Sequence, residues 1–230
     1  MINLPALIET FLLGSAGAVL LTKALRGVLI FYIHPRYTPL IIVCGALLLM
    51  VAAIRATTIF SYTPESLNGR RGHYLLLTIP LLLGTLVPAR PLGANALSST
   101  TDVSAALAAS APTDDDTSTW NILQWATALS VRGEQLHGKT ADVVGFVYHD
   151  PARPIQGFFV VRYVIICCTA DSNGVNLPVV WKDSTPLKAD SWVRVQGTLG
   201  TTTIGNKTVP ALLATRIEST DQPASPYLYP

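Results

Sequence analysis

The chain has 230 residues, is 50% hydrophobic and only 13% charged, and has a mean hydropathy of +0.41. Soluble domains carry about 25% charged residues, so this composition argues against a wholly soluble enzyme, and its hydrophobicity excludes a disordered chain. The formal charge of +2 averages two unlike halves: residues 1–97 hold seven Lys/Arg against two acids (+5), and residues 98–230 hold nine against twelve (−3).

Three apolar stretches occupy the first half. They run Leu4–Thr22, Thr38–Ile54 and Tyr74–Pro88, the third with a continuation past Arg90 to Leu97. A membrane span needs roughly 17–25 mostly apolar residues. The second stretch meets this outright with 17 uncharged residues, and the others meet it with their flanks. About three transmembrane helices over residues 1–97 are therefore expected. Pro80 in the third is tolerated where neighbouring helices re-satisfy the freed carbonyl. The first stretch carries Glu9 near its start and lacks a basic leading region, so it does not read as a cleaved signal peptide. Between spans one and two, Lys23, Arg26 and Arg36 alternate with Phe31, Tyr32 and Tyr37, an interfacial pattern. An alternative is one long tilted helix from Leu4 to Ile33, ended by His34-Pro35. Basic residues in the loops number four against three, which leaves orientation undecided.

Residues 98–119 are a flexible acidic linker. Ten of the 22 are Ser or Thr, five are Ala and four are Asp, with no apolar period. Asp114, Asp115 and Asp116 read as a solvated charge run rather than a metal site. WNILQWATALS places Trp120, Leu123, Ala126 and Leu129 at helical spacing, with Thr119 as the N-cap.

From about Gly138 the period changes to two. TADVVGFVYH, GFFVVRYVIICC, NLPVVW, SWVRVQGTLG and VPALLATRIES read as five strands, separated by turn residues at Asp150-Pro151, Asn173-Gly174, Ala189-Asp190 and Gly205-Asn206. Gly145 and Gly197 inside strands mark bulges or tight corners. Five short strands in roughly 85 residues match a five-stranded OB-like Greek-key barrel, with a small sandwich as the alternative. Residues 120–222 thus hold a short amphipathic helix plus an all-β domain, and residues 223–230 form a Pro/Tyr tail. An OB-like domain raises nucleic-acid binding, but a net charge of −3 lacks the basic patch such binding needs.

The second strand ends in Ile166-Cys167-Cys168-Thr169-Ala170-Asp171. The third cysteine, Cys44, lies in the second apolar stretch. No CxxC, HExxH, phosphate loop or GxSxG is present. His34, His73, His137 and His149 form no ligand spacing, and no nucleophile–base set points to an enzyme. Adjacent strand residues face opposite sides, and Cα atoms about 3.8 Å apart are too close for an ordinary disulfide. A shared metal therefore requires the strand to break, and Thr169–Gly174 is turn-like. Cys167 and Cys168, with Asp171 or a histidine from another strand, would then hold a soft or borderline metal such as zinc or copper(I). The alternative is a cysteine in the core and another at a strand end. Arg162, the lone charge of the strand, should pair with an acid such as Asp142 or Asp171, or face solvent.

The Tyr32-Ile33-His34-Pro35-Arg36 break, Gly145-Phe146-Val147, the R-x-x-I-x-C-C-x-A-D run from Arg162 to Asp171, the Trp192–Gly197 strand and the Pro223–Tyr229 ending together resemble the YcgQ-like family of bacterial permease subunits. The resemblance implies a small multi-pass membrane protein partnered with a larger, multi-span YraQ-like permease. The substrate is undefined, with a metal ion as one candidate. Relatives with His-rich second loops contrast with this chain, whose second loop holds only His73. A different reading is a membrane-tethered metal- or redox-sensing β domain built on the cysteine pair. The Lys-free Ser/Thr/Asp linker leans toward an extracytoplasmic β domain, where exposed thiols oxidise readily.

Overall fold

A computed structural model describes residues 3–60, 71–97, 112, 116–182 and 187–230. The chain divides into two compact units, Met1–Arg90 and Pro91–Pro230.

The first unit is helical. Helix α1 spans Leu4–Leu25, α2 spans Thr38–Ala56 and α3 spans Arg71–Leu86. Two helical segments, Leu4–Leu25 and Pro35–Ala56, are long and apolar enough to cross a membrane. Each has 22 residues, which at about 1.5 Å per residue gives roughly 33 Å against about 30 Å of hydrocarbon. Helix α3, with 16 residues and Pro80 inside, reaches only about 24 Å on the same rise. Over the described residues it is shorter than the two membrane-capable segments.

The long-helix alternative from Leu4 to Ile33 is not what forms. Asn3 caps α1 by accepting from the Ala6 N–H at 3.3 Å, and the helix stops at Leu25. Gly27 then adopts φ +67°, a conformation that favours glycine, and a 3₁₀ turn follows over Val28–Phe31. His34 Nδ1 accepts from the Arg36 N–H at 3.1 Å and starts a second turn. Helices α1 and α2 pack through glycine: a Cβ at Gly17 would lie 2.8 Å from the Gly45 carbonyl oxygen, and one at Gly45 would lie 2.9 Å from Leu21 Cγ. Glu9 of α1 pairs with Arg55 of α2 and accepts from the Tyr74 hydroxyl of α3 at 3.1 Å, so one carboxylate ties three helices.

The second unit begins with α4, Ile122–Arg132. Its cap is Asn121, not Thr119. Asn121 Oδ1 accepts from the Gln124 N–H at 3.0 Å, and Gln124 Oε1 accepts from the Asn121 N–H at 2.9 Å. This reciprocal box outcompetes a threonine two residues earlier, and Thr119 instead closes a 3₁₀ turn. Asp116 caps that turn through the Ser118 N–H, while Asp114 and Asp115, with nearly all of the linker, lie outside the described residues.

Six strands follow: β1 Thr140–Tyr148, β2 Gly157–Val164, β3 Asn173–Val180, β4 Trp192–Ile204, β5 Lys207–Ser219 and β6 Tyr227–Leu228. They form one sheet in the order β1-β4-β5-β3-β2-β6, with β1 also paired to β2. The sixth strand lies in the segment read as a Pro/Tyr tail and pairs parallel to β2, Tyr163 opposite Tyr227. Asn173-Gly174, read as a turn, opens β3. The β4–β5 register shifts between Gln196 and Gly197. A Cβ at Gly197 would sit 2.2 Å from the Leu213 carbonyl oxygen, and one at Gly145 would sit 2.6 Å from that of Val161.

Two hydrophobic clusters explain why β2 is apolar on both faces. Phe158, Val160 and Val164 enter one cluster with Trp120, Trp125, Val179 and Leu212. Phe159, Val161, Tyr163 and Ile165 enter the other with Phe146 and Tyr227. The second cluster is covered by Leu92, Ala94 and Leu97, which follow the end of α3. Tyr163 donates its hydroxyl to the Gly93 carbonyl at 2.9 Å, and the Leu92 N–H donates to the Tyr227 hydroxyl at 3.0 Å.

Candidate functional site

Strand β2 ends at Val164, three residues before the cysteines. Ile165 is fully buried and its N–H donates to the Leu228 carbonyl at 3.0 Å. That bond belongs to the edge with β6, and beyond it the chain leaves the sheet. The side-chain alternation of a strand therefore no longer applies at Cys167 and Cys168. A 3₁₀ turn over Thr169–Asp171 folds back. The Asp171 carboxylate then gathers three successive backbone donors. Oδ1 accepts from the Ile166 N–H at 2.9 Å, and Oδ2 accepts from the N–H groups of Cys167 at 2.8 Å and Cys168 at 3.2 Å.

This brings the thiols together. Cys167 Sγ and Cys168 Sγ are 3.7 Å apart, and both thiols are free. Ligand atoms of Cys167, Cys168 and Asp171 all lie within 4.8 Å of one another. Cys167 is exposed and the other two are half-buried.

The electrostatics separate the residues. Partial burial pushes the Asp171 carboxyl up. The Cys167 thiol and the three backbone N–H groups outweigh that and hold it at about 2. The same contact acts oppositely on Cys167, whose thiol is pushed up to about 11 by its hydrogen bond to Asp171, with Cys168 adding to the effect. A cation that replaces the thiol proton converts this repulsion into joint ligation.

Arg162 takes a different partner from the acids expected of it. Its Nε donates to the Pro226 carbonyl at 2.9 Å and its Nη2 to the Ser225 carbonyl at 2.6 Å, with longer contacts to the carbonyls of Val144 and Tyr227. The guanidinium also lies 5.3 Å from the Trp192 ring centroid. Burial pulls its pKa down to about 10, so it stays charged at neutral pH. Asp142 instead forks onto Arg194 at 2.7 and 2.7 Å and accepts from Gln196 at 2.8 Å. This latch between Arg162 and the C-terminal segment has one signal in the sequence: a lone charge in an apolar strand must find polar atoms.

Cys44 is exposed on α2. The His149 ring contacts the Leu187 carbonyl at 2.9 Å. Among the described residues, neither joins the thiol group.

Membrane-capable helices joined to a six-stranded β unit that presents vicinal thiols define a membrane-associated protein with a β domain of its own. Residues 115–230 match the DUF1980 C-terminal domain, and the chain belongs to that YcgQ-like family. It is similar to the UPF0703 protein YcgQ of Bacillus subtilis, 31% identical over 105 residues that cover 45% of this chain and 36% of that protein. It is also similar to a Streptococcus mutans protein named "Putative two-component membrane permease complex subunit", 24% identical over 252 aligned positions that cover 89% of this chain and 92% of that protein. No solved structure matches the chain.

Proposed function

We propose that this protein is the small, non-enzymatic subunit of a two-component membrane permease complex. The observation that carries the reading is the similarity along 92% of the streptococcal protein whose name describes such a subunit, on a chain with two membrane-capable helices. In this reading the helical unit is a multi-pass anchor, with α3 and its flanks as a third span. The partner is a larger, multi-span YraQ-like permease. The β domain lies on the extracytoplasmic side, and its role is to bind or present substrate, for which a metal ion is the candidate.

The β domain is read as an OB-like Greek-key barrel. The support is the pairing series β1–β2, β2–β3, β3–β5, β5–β4 and β4–β1, which returns to its starting strand as a barrel requires. Nucleic acid is not its ligand in this reading, because the half that holds it carries −3.

The test is purification of the tagged chain from native membranes in mild detergent. A multi-span membrane protein in stoichiometric amount supports the reading, and recovery of a lone chain overturns it. An impermeant thiol reagent applied to intact cells reports the side that Cys167 and Cys168 face. Labelling only after lysis refutes the extracytoplasmic placement.

A further inference from the structure

The geometry points to Cys167, Cys168 and Asp171 as a three-ligand site for a zinc-like divalent cation, with its fourth coordination position open to solvent. Two thiolates at about 2.3 Å from a tetrahedral ion sit about 3.8 Å apart, and about 4.6 Å apart if the ion is linear and two-coordinate. The observed separation is 3.7 Å, which is the tetrahedral bite. Adjacent cysteines on an intact strand cannot present this edge. Here the strand has ended at Val164, and the Asp171 carboxylate holds the three backbone N–H groups that set the turn.

The carboxylate also has the capacity to bind. Its two oxygens offer about four acceptor positions. Three are filled by the N–H groups of Ile166, Cys167 and Cys168, which leaves one for a cation. The Cys167 thiol, placed to donate to Cys168 Sγ, gives up its proton when the cation arrives. The balance is one divalent ion bound, two sulfur–metal bonds formed and two thiol protons released to solvent, with no change of oxidation state. Two thiolates and a carboxylate supply three negative charges, which a divalent ion offsets better than a monovalent one. Ligand hydrogen bonding to backbone is what such sites use to fix orientation.

The open position follows from exposure. Structural zinc sites close with four protein ligands, whereas open ones leave room for water or an incoming ligand. Among the described residues no fourth His, Cys, Asp or Glu joins the group, and Cys167 faces solvent. The site thus suits acquisition and release of an ion rather than a fixed structural role. It stands on its own geometry and does not depend on the permease assignment.

The test uses the full chain in detergent with a phosphine reductant. Cobalt(II) is the spectroscopic probe and zinc(II) the competitor. One cobalt per chain is expected, with a thiolate charge-transfer band and four-coordinate visible bands that zinc abolishes. C44S retains them, and C167S and C168S each lose stoichiometric binding. D171N keeps the thiolate band while its affinity drops at least about tenfold. In the unmutated chain, zinc protects Cys167 and Cys168 from alkylation but leaves Cys44 unprotected, which does not rely on any variant folding. A chelator should strip the zinc within the mixing time. Absence of the band and of protection, or binding unchanged in C167S and C168S, overturns the site. Unchanged affinity in D171N removes Asp171 as a ligand, and zinc release over hours refutes the open position. Failure of partner co-purification leaves each of these readouts intact.

Discussion

Replacing Arg162 by alanine tests whether the C-terminal segment is a structural part of the β domain. The guanidinium holds two short hydrogen bonds, 2.9 Å to Pro226 and 2.6 Å to Ser225. The contacts at 3.4 and 3.5 Å to Val144 and Tyr227 are at the edge of useful geometry. Charged hydrogen bonds contribute about 1.5–3 kcal/mol each, and a desolvated cation–π contact such as that with Trp192 adds up to about 2 kcal/mol. Relief of the buried charge offsets part of that sum, which leaves a net loss of about 3–5 kcal/mol for Arg162→Ala. In a domain of this size that is a fall in Tm of roughly 10–25 °C. The assay is thermal unfolding followed by tryptophan fluorescence, together with chymotryptic cleavage after Tyr227, which releases Leu228–Pro230. R162A should melt early and release the segment fast, and R162K should fall between, since lysine keeps the charge but not the fork. Truncation after Asp221 should reproduce the loss, and R162A on the truncated chain should add far less than its separate effect. R162A with unchanged Tm and unchanged proteolysis would refute the latch.

Gly17→Leu should break the α1–α2 contact, because a Cβ there already meets the Gly45 carbonyl at 2.8 Å; a loss of about 1–3 kcal/mol, larger than for Gly17→Ala, is expected in detergent melts. Arg194 holds the Asp142 carboxyl below its usual value, so the folded pKa lies under the unfolded one. The stability this adds is present above about pH 4 and is lost as pH falls through the depressed folded value. The Tm difference between the unmutated chain and D142N should therefore shrink with acidification, and a difference independent of pH would show that the pair is not its source. In chelator-treated protein, alkylation of Cys167 at pH 8 should be slow, and D171N should accelerate it by removing the hydrogen-bond partner that pushes the thiol up to about 11; equal rates would exclude that contact.

What the sequence made legible is what depends on local pattern. The apolar run Thr38–Ile54 became α2, and the period-two stretches became strands, because burial period is written in consecutive residues. Gly197 fell at a register shift because a backbone approaches it closely. What was not legible depends on distant partners. Nothing local says that Tyr227 pairs beside Tyr163, or that Arg162 chooses backbone carbonyls over a carboxylate. The position of Asp171 beside the cysteines marks it as one candidate ligand, but its three backbone bonds depend on a turn whose shape the sequence only hints at. Thr119 lost the cap to Asn121 because the glutamine at 124 decides between them, a signal present in the sequence as N-x-x-Q.

The position of the thiols follows from how β2 is covered. An apolar strand buried on both faces needs a second cover beyond the sheet's own core. Here it comes from Leu92, Ala94, Leu97 and Tyr227. Strand β6 extends that cover only as far as Leu228, which accepts from Ile165. At Ile166, exposed at 49%, burial stops, two residues past the end of β2. Its N–H must then be satisfied elsewhere, and Asp171 supplies the acceptor for it and for the next two. The turn that joins the thiols is thus a consequence of where the C-terminal cover ends. Loosening that cover through R162A should therefore also disturb the thiol pair, which lies outside every contact that Arg162 makes. Alkylation of Cys167 and Cys168 in R162A measures this directly, and rates identical to the unmutated chain would show that the turn is held by Asp171 alone.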